Sequence, residues 1–168
     1  MAPRGACIGL LLVNVVQVSA ADPTLVTTKQ QLRDILSDPT PWLLHFNDAG
    51  PAAVLPESEE DTREQAWFTK LAHVWPRDIM EGKLAWAGHL YGREVKFASV
   101  GKIDPAAGDY DSAVDALATN KGFRFLIGGV DLGPPVNRME SRREMLQAVQ
   151  WMASKLGDIK RVEKRDEL

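Results

Sequence analysis

The sequence predicts an α/β domain whose mixed central β-sheet is flanked by helices. Three observations carry this expectation. Trp42–Phe46 is a short, mostly apolar run bounded by Pro41 and by Asn47, Asp48, Gly50 and Pro51, as expected of a strand covered on both faces. Two further runs, Glu94–Asp104 and Phe123–Ile127, read as strands in the same way. Between and after them, apolar residues recur at helical intervals, most clearly Met145, Ala148, Val149, Met152 and Leu156. Strands alternating with helices imply a layered α/β arrangement.

Pro23–Thr27 opens the domain as a short edge strand. Thr28 stands three residues before Gln31, a capping-box spacing, and Leu32, Ile35 and Leu36 follow at helical intervals. Asp38-Pro-Thr-Pro41 ends that helix, because the residue before a proline is pushed out of helical geometry. The Trp42–Phe46 strand comes next, then a loop rich in turn-forming residues. From Pro56 the pattern is helical, with Glu57, Glu59, Glu60 and Asp61 at its start and Ala66, Trp67, Leu71, Val74 and Trp75 as its apolar face. Pro76 is expected to stop it. Residues 77–92 read as an insertion holding a helical turn or short helix among Gly82, Gly88 and Gly92. After the Glu94–Asp104 strand, Asp111 caps a helix that runs to about Asn120. Phe123–Ile127 follows, Gly128-Gly129 turns the chain, and the stretch to Arg138 ends in a short edge strand around the Gly133-Pro-Pro135 break. Ser141 and Glu144 form a second capping box, and the final helix is expected to end at Gly157.

With 168 residues and a net charge of −3, the chain is the size of one domain and has no general attraction to nucleic acid. Residues 1–21 read as a cleaved signal peptide: Arg4 is the positive end, Cys7–Val18 the apolar stretch, and Val18-Ser-Ala-Ala21 the cleavage region. A retained anchor is the alternative. No later segment is apolar enough to span a membrane. Residues 22–157 form the domain. Residues 158–168 form a charged tail that ends in Arg165-Asp166-Glu167-Leu168, close to the tetrapeptide that retrieves proteins to the endoplasmic reticulum. Together the two ends predict the lumen of that compartment, and a retrieval receptor as a partner. Cys7 is the chain's one cysteine. After signal cleavage no thiol remains for a disulfide or for thiol–disulfide exchange. No Asn-x-Ser/Thr sequon occurs.

The element order and several segments resemble the thioredoxin fold over about residues 23–157. Pro41-Trp-Leu-Leu-His-Phe46 is similar to the strand leading into that family's active site, and Val95–Asp104 to its next strand. Asn120–Phe123 is similar to the turn before the substrate-facing strand, and Val136–Glu144 to the last strand and the start of the final helix. With the luminal address, the chain is similar to the protein disulfide isomerase family. The resemblance puts the Cys-x-x-Cys motif at Pro51-Ala-Ala-Val54, the buried acid at His45 and the cis-proline of the substrate groove at Arg124. All three positions depart from the family's pattern. The fold is therefore expected to carry over and the redox chemistry is not.

What remains is a binding module or chaperone-like factor without enzymatic activity, with unfolded or luminal proteins as partners. The expected surface is Asn47, Asp48, Ala49, Gly50, Pro51 and Val54, with Arg124 and the aromatic pair Trp86 and Tyr91 of the insertion; Trp75 is a further candidate for that apolar patch. A structural subunit with one dominant partner is the alternative, and a non-redox enzyme using His45 and Asp48 a second one. No nucleophile motif accompanies that pair, and His45 is read as a hydrogen-bonded strand-end residue. His45, His73 and His89 lack ligand spacing, so neither a metal nor another cofactor is expected. Glu57–Asp61 lacks EF-hand spacing and reads as a solvated helix start rather than a calcium site.

Overall fold

All five residues of Trp42–Phe46 are buried, so the chain must cover this strand on both faces and both edges. The computed structural model describes residues 22–47, 59–104 and 106–166. In it the elements are β1 (Thr24–Val26), α1 (Lys29–Ser37), β2 (Trp42–Phe46), α2 (Glu59–Val74), β3 (Lys96–Val100), α3 (Ser112–Ala118), β4 (Gly122–Ile127), β5 (Val130–Asp131) and α4 (Arg142–Asp166). The five strands form one mixed sheet in the order β1-β3-β2-β4-β5. β1 and β2 pair with β3 in parallel, and β4 is antiparallel to β2 and to β5.

Strand alternation divides the apolar residues between two layers. Leu43, Phe97, Phe123 and Phe125 face α2 and α4, together with Phe68, Leu71, Met145 and Met152. Trp42, Leu44, Phe46, Ala98, Val100 and Leu126 face α1 and α3, against Leu32, Ile35, Val114 and Leu117. The result is helices on both faces of a five-stranded sheet, with β2 at its middle.

The caps form where the spacing places them. Thr28 and Gln31 make a reciprocal capping box, and Asp111 Oδ1 accepts from the amides of Ala113 and Val114, each at 3.2 Å. Glu144 accepts from the Glu140 amide at 2.7 Å and from the Ser141 hydroxyl at 3.1 Å. These bonds, the amide first, hold its carboxyl below the usual range. Across the α1/α3 layer, Lys29 pairs with Asp115 at 2.6 Å and Arg33 with Asp111 at 3.0 Å.

Four expectations change. Pro76 does not stop the second helix: α2 passes directly into a π-helical turn over Trp75–Ile79, closed by Met80 N–H donating to the Trp75 carbonyl at 2.8 Å. A widened turn accommodates a ring that lacks an N–H. The face of α2 shifts accordingly, with Ala66 exposed and Phe68 and Ala72 buried. The last strand lies before the Gly133-Pro-Pro135 break, at Val130–Asp131, because prolines cannot extend the ladder. Gly157 does not end the last helix, which continues to Asp166. Its φ is not left-handed, so it does not cap, and one interior glycine costs only about 1 kcal/mol. The 158–168 tail is thus helical over its described part. The insertion, in contrast, holds the short helix expected, a 3-10 helix over Ala85–Leu90.

The β4–β5 hairpin turns through Gly128 and Gly129, both at positive φ (55° and 78°), which is the geometry a two-residue hairpin of this hand needs. A Cβ on Gly129 would collide with the Leu36 carbonyl at the end of α1, whereas one on Gly128 would meet nothing within 4 Å. Gly128→Ala is therefore expected to cost about 1–2 kcal/mol, the left-handed penalty alone. Gly129→Ala is expected to cost about 2–5 kcal/mol, since the clash adds to that penalty. Urea unfolding of both variants checks the difference.

At the same end of the sheet, Asp38 joins α1 to two strands. Its Oδ2 accepts from Lys96 Nζ at 2.8 Å and from Trp42 Nε1 at 3.0 Å, and its Oδ1 from the Thr40 amide at 2.9 Å. The Lys96 bond, above all, holds the carboxyl far below its ordinary range. A depressed folded-state pKa contributes stability that is present above the unfolded value of about 3.9 and is lost as pH falls through the folded value. Unfolding followed from pH 6 down to pH 2 should therefore show a smaller acid-induced loss of stability in Asp38→Asn than in the parent chain.

Candidate functional site

The carboxyl end of β2 is the point where open α/β sheets usually place chemistry. His45 stands there, next to last in the strand, with only 2% of its surface exposed. In register its neighbours are Ser99 on β3 and Phe123 on β4. Its ring stacks on Phe123 at 4.6 Å between centroids and lies 5.3 Å from Phe68. The side chain therefore points to the α2/α4 side of the sheet.

The polar groups around it come from α2. Gln65 Oε1 lies 3.0 Å from His45 Nδ1. Gln65 Nε2 donates to Ser99 Oγ at 3.1 Å and to Thr69 Oγ1 at 3.2 Å. The amide oxygen thus faces the ring, and Nδ1 carries the hydrogen. Glu64 Oε2 lies 3.5 Å from His45 Nε2. Gln65 engages Nδ1, Glu64 faces Nε2, and the Ser99 hydroxyl is bonded to Gln65. This arrangement holds an imidazole in one orientation beneath α2. It does not present a base to a nucleophile among the described residues.

The sequence-predicted surface divides into three places. Asn47 continues β2, its amide donating to the Val100 carbonyl at 3.0 Å. Asp48, Ala49, Gly50, Pro51 and Val54 lie outside the described residues, as do Glu167 and Leu168; Arg165 and Asp166 are in the last turn of α4. Arg124 is not at the mouth of the sheet. It lies inside β4, opposite Leu44, while Gly122 is the residue opposite Phe46 at the loop end. Alternation turns Arg124 toward the α1/α3 side, where Nη1 lies 3.8 Å from Asp131 and Nε is buried without a hydrogen bond.

Trp86 and Tyr91 belong to the opposite layer. Both are exposed, at 45% and 72%. Trp75, the third aromatic considered for that patch, is fully buried, and its indole N–H donates to the Arg93 carbonyl at 2.8 Å. Tyr91 packs beside Gly82. Trp86 lines a cleft of about 280 Å³ between α2 and α4. The sheet thus separates Arg124 from the aromatic pair, and no single surface unites them.

Residues that sequence reasoning missed are Glu64, Gln65, Thr69 and Ser99. Gln65, Phe68, Thr69 and Ala72 share the i, i+3, i+4, i+7 positions of one face, so a polar pair set into an apolar stripe was the available signal. Among the described residues, no group of three or more His, Cys, Asp or Glu is placed to hold a metal ion. No described helix is long and apolar enough to cross a membrane.

No protein-family model matches the chain, and no curated protein matches it. Among solved structures, the chain is similar to one described as "Stonustoxin structure", at 12% identity and a TM-score of 0.27, over 75% of this chain and 22% of that one. The chain spans about a fifth of the length of that protein, and a likeness of this size carries no argument.

The polar cluster makes a stability prediction. Gln65→Ala leaves the His45 Nδ1–H and the Ser99 hydroxyl without a partner and is expected to cost about 1–3 kcal/mol. Ser99→Ala leaves Gln65 still bonded to Thr69 and is expected to cost about 1 kcal/mol or less. Chemical denaturation of the two variants orders them.

Proposed function

We propose that the chain is a thioredoxin-like protein without redox chemistry, addressed to the lumen of the endoplasmic reticulum, where it binds other proteins during folding or quality control. The observation that carries the reading is the strand order β1-β3-β2-β4-β5, with β1, β3 and β2 parallel and β4 and β5 reversed. It supports a thioredoxin-like frame in which the loop leaving β2 stands where a redox motif would be. That loop holds no cysteine; the chain's single thiol is Cys7, in the segment read as a signal. Thiol–disulfide exchange proceeds by thiolate attack on a disulfide, so the frame is left with binding as its role. The engaged and buried His45 is consistent with this, since a general base must reach the proton it takes. The exposed aromatics Trp86 and Tyr91 supply surface of the kind that meets partners.

Two assays on the purified protein test this. Insulin disulfides should be reduced no faster than in its absence. Aggregation of a chemically unfolded client should be slowed at equimolar protein. Catalytic turnover of insulin would overturn the redox-inactive half. Failure both to slow aggregation and to retain any luminal partner would overturn the binding half.

A further inference from the structure

The cleft beside Trp86 has a floor and a rim of different chemistry. Its floor is Leu71 and Ile79 from one side and Met145 and Val149 from α4, all buried. Trp86 stands at its wall with 45% of its surface in solvent. Three charged residues line it: Lys70, Asp78 and Arg142. Asp78 is already neutralised. Arg77 Nη2 donates to it at 2.7 Å and Arg77 Nε at 3.0 Å and 3.1 Å to its two oxygens. That fork, the bond to Arg77 first, holds the Asp78 carboxyl below its usual range. Lys70 lies over the Trp67 ring, 4.4 Å from its centroid, a contact that leaves its charge in place. The cleft is therefore apolar inside and positive at its edge.

A volume of about 280 Å³ lies at the small end of ligand-site volumes, which run to about 300–1,000 Å³. It suits one large apolar side chain, the kind of anchor that dominates protein–protein contacts. The positive rim requires carboxylates flanking that anchor, because charge complementarity selects among partners that share the same apolar residue. The two walls are helices, the arrangement into which an amphipathic segment lays its apolar face.

We infer that this cleft docks an acidic segment of a partner protein, one large apolar side chain entering beside Trp86 while flanking carboxylates face Lys70 and Arg142. The inference rests on the binding-module reading and names the kind of segment such a module would take.

A labelled acidic peptide of about twelve residues with a single central leucine, titrated into the full chain, tests it. A control peptide replaces the leucine with serine, and another replaces the glutamates with lysines. The acidic leucine peptide should bind, and both controls should bind at least tenfold more weakly. Trp86→Ala should weaken the acidic peptide about tenfold or more, and Lys70→Glu with Arg142→Glu should do the same while improving the lysine peptide. Raising the salt should weaken binding severalfold. Equal affinity for acidic and basic peptides would overturn the assignment. So would no binding at all, or binding unchanged by Trp86→Ala in a variant whose thermal unfolding matches the parent. Dimerisation of the chain that is lost in Trp86→Ala would also overturn it, by showing a second copy as the occupant. Slowed client aggregation with indifferent peptide binding defeats only this inference. Peptide binding with neither slowed client aggregation nor any retained luminal partner defeats the broader reading and leaves the cleft assigned.

Discussion

The structure depends on a strand that has no solvent side. Every residue of β2 is buried, so its faces need two separate apolar layers and its edges need two hydrogen-bonded neighbours. β3 and β4 supply the edges, one parallel and one antiparallel. α2 and α4 cover one face, and α1 and α3 the other. Once β2 is placed, the remaining chain has little freedom: each helix must turn its apolar stripe inward, and each connection must carry the chain to the correct side of the sheet.

That constraint accounts for the less regular parts. The β4–β5 hairpin sits so close to α1 that only glycine fits at position 129, against the Leu36 carbonyl. The Asp38 carboxylate gathers donors from Thr40, Trp42 and Lys96, tying the end of α1 to the starts of β2 and β3. Trp75 and Ile79 reach the core because α2 widens at Pro76 instead of ending there. The insertion that follows contributes Ala87 and Leu90 to the same core and leaves Trp86 at the surface. It is therefore part of the layer it covers, and its exposed aromatics are held by a packed base.

The same constraint shapes what β2 can do at its end. An imidazole buried under α2 would leave two polar atoms without partners. Gln65 meets Nδ1, and Thr69 and Ser99 hold Gln65 in place. An unsatisfied buried polar group costs more than a made hydrogen bond returns, so packing by itself gives this cluster a reason to form. The cleft beside Trp86, in contrast, has an exposed apolar wall and charged residues at its edge.

Much of the fold was legible in the sequence, because periodicity and capping are local. The order of strands and helices, the buried character of Trp42–Phe46, and the caps at Thr28, Asp111 and Ser141 all follow from residues within a few positions of one another. The site was less legible. That His45 meets Gln65 and Ser99, that Arg124 faces away from the insertion, and that Trp75 is buried while Trp86 is exposed all depend on contacts between segments distant in the chain. The sequence also overstated its punctuation: Pro76 and Gly157 read as stops, yet the helices pass both. A proline or glycine costs a helix only a few kcal/mol, and the structure around it settles whether that cost ends the helix. Local chemistry determined the elements of this protein, and long-range packing decided which of their side chains reach the surface.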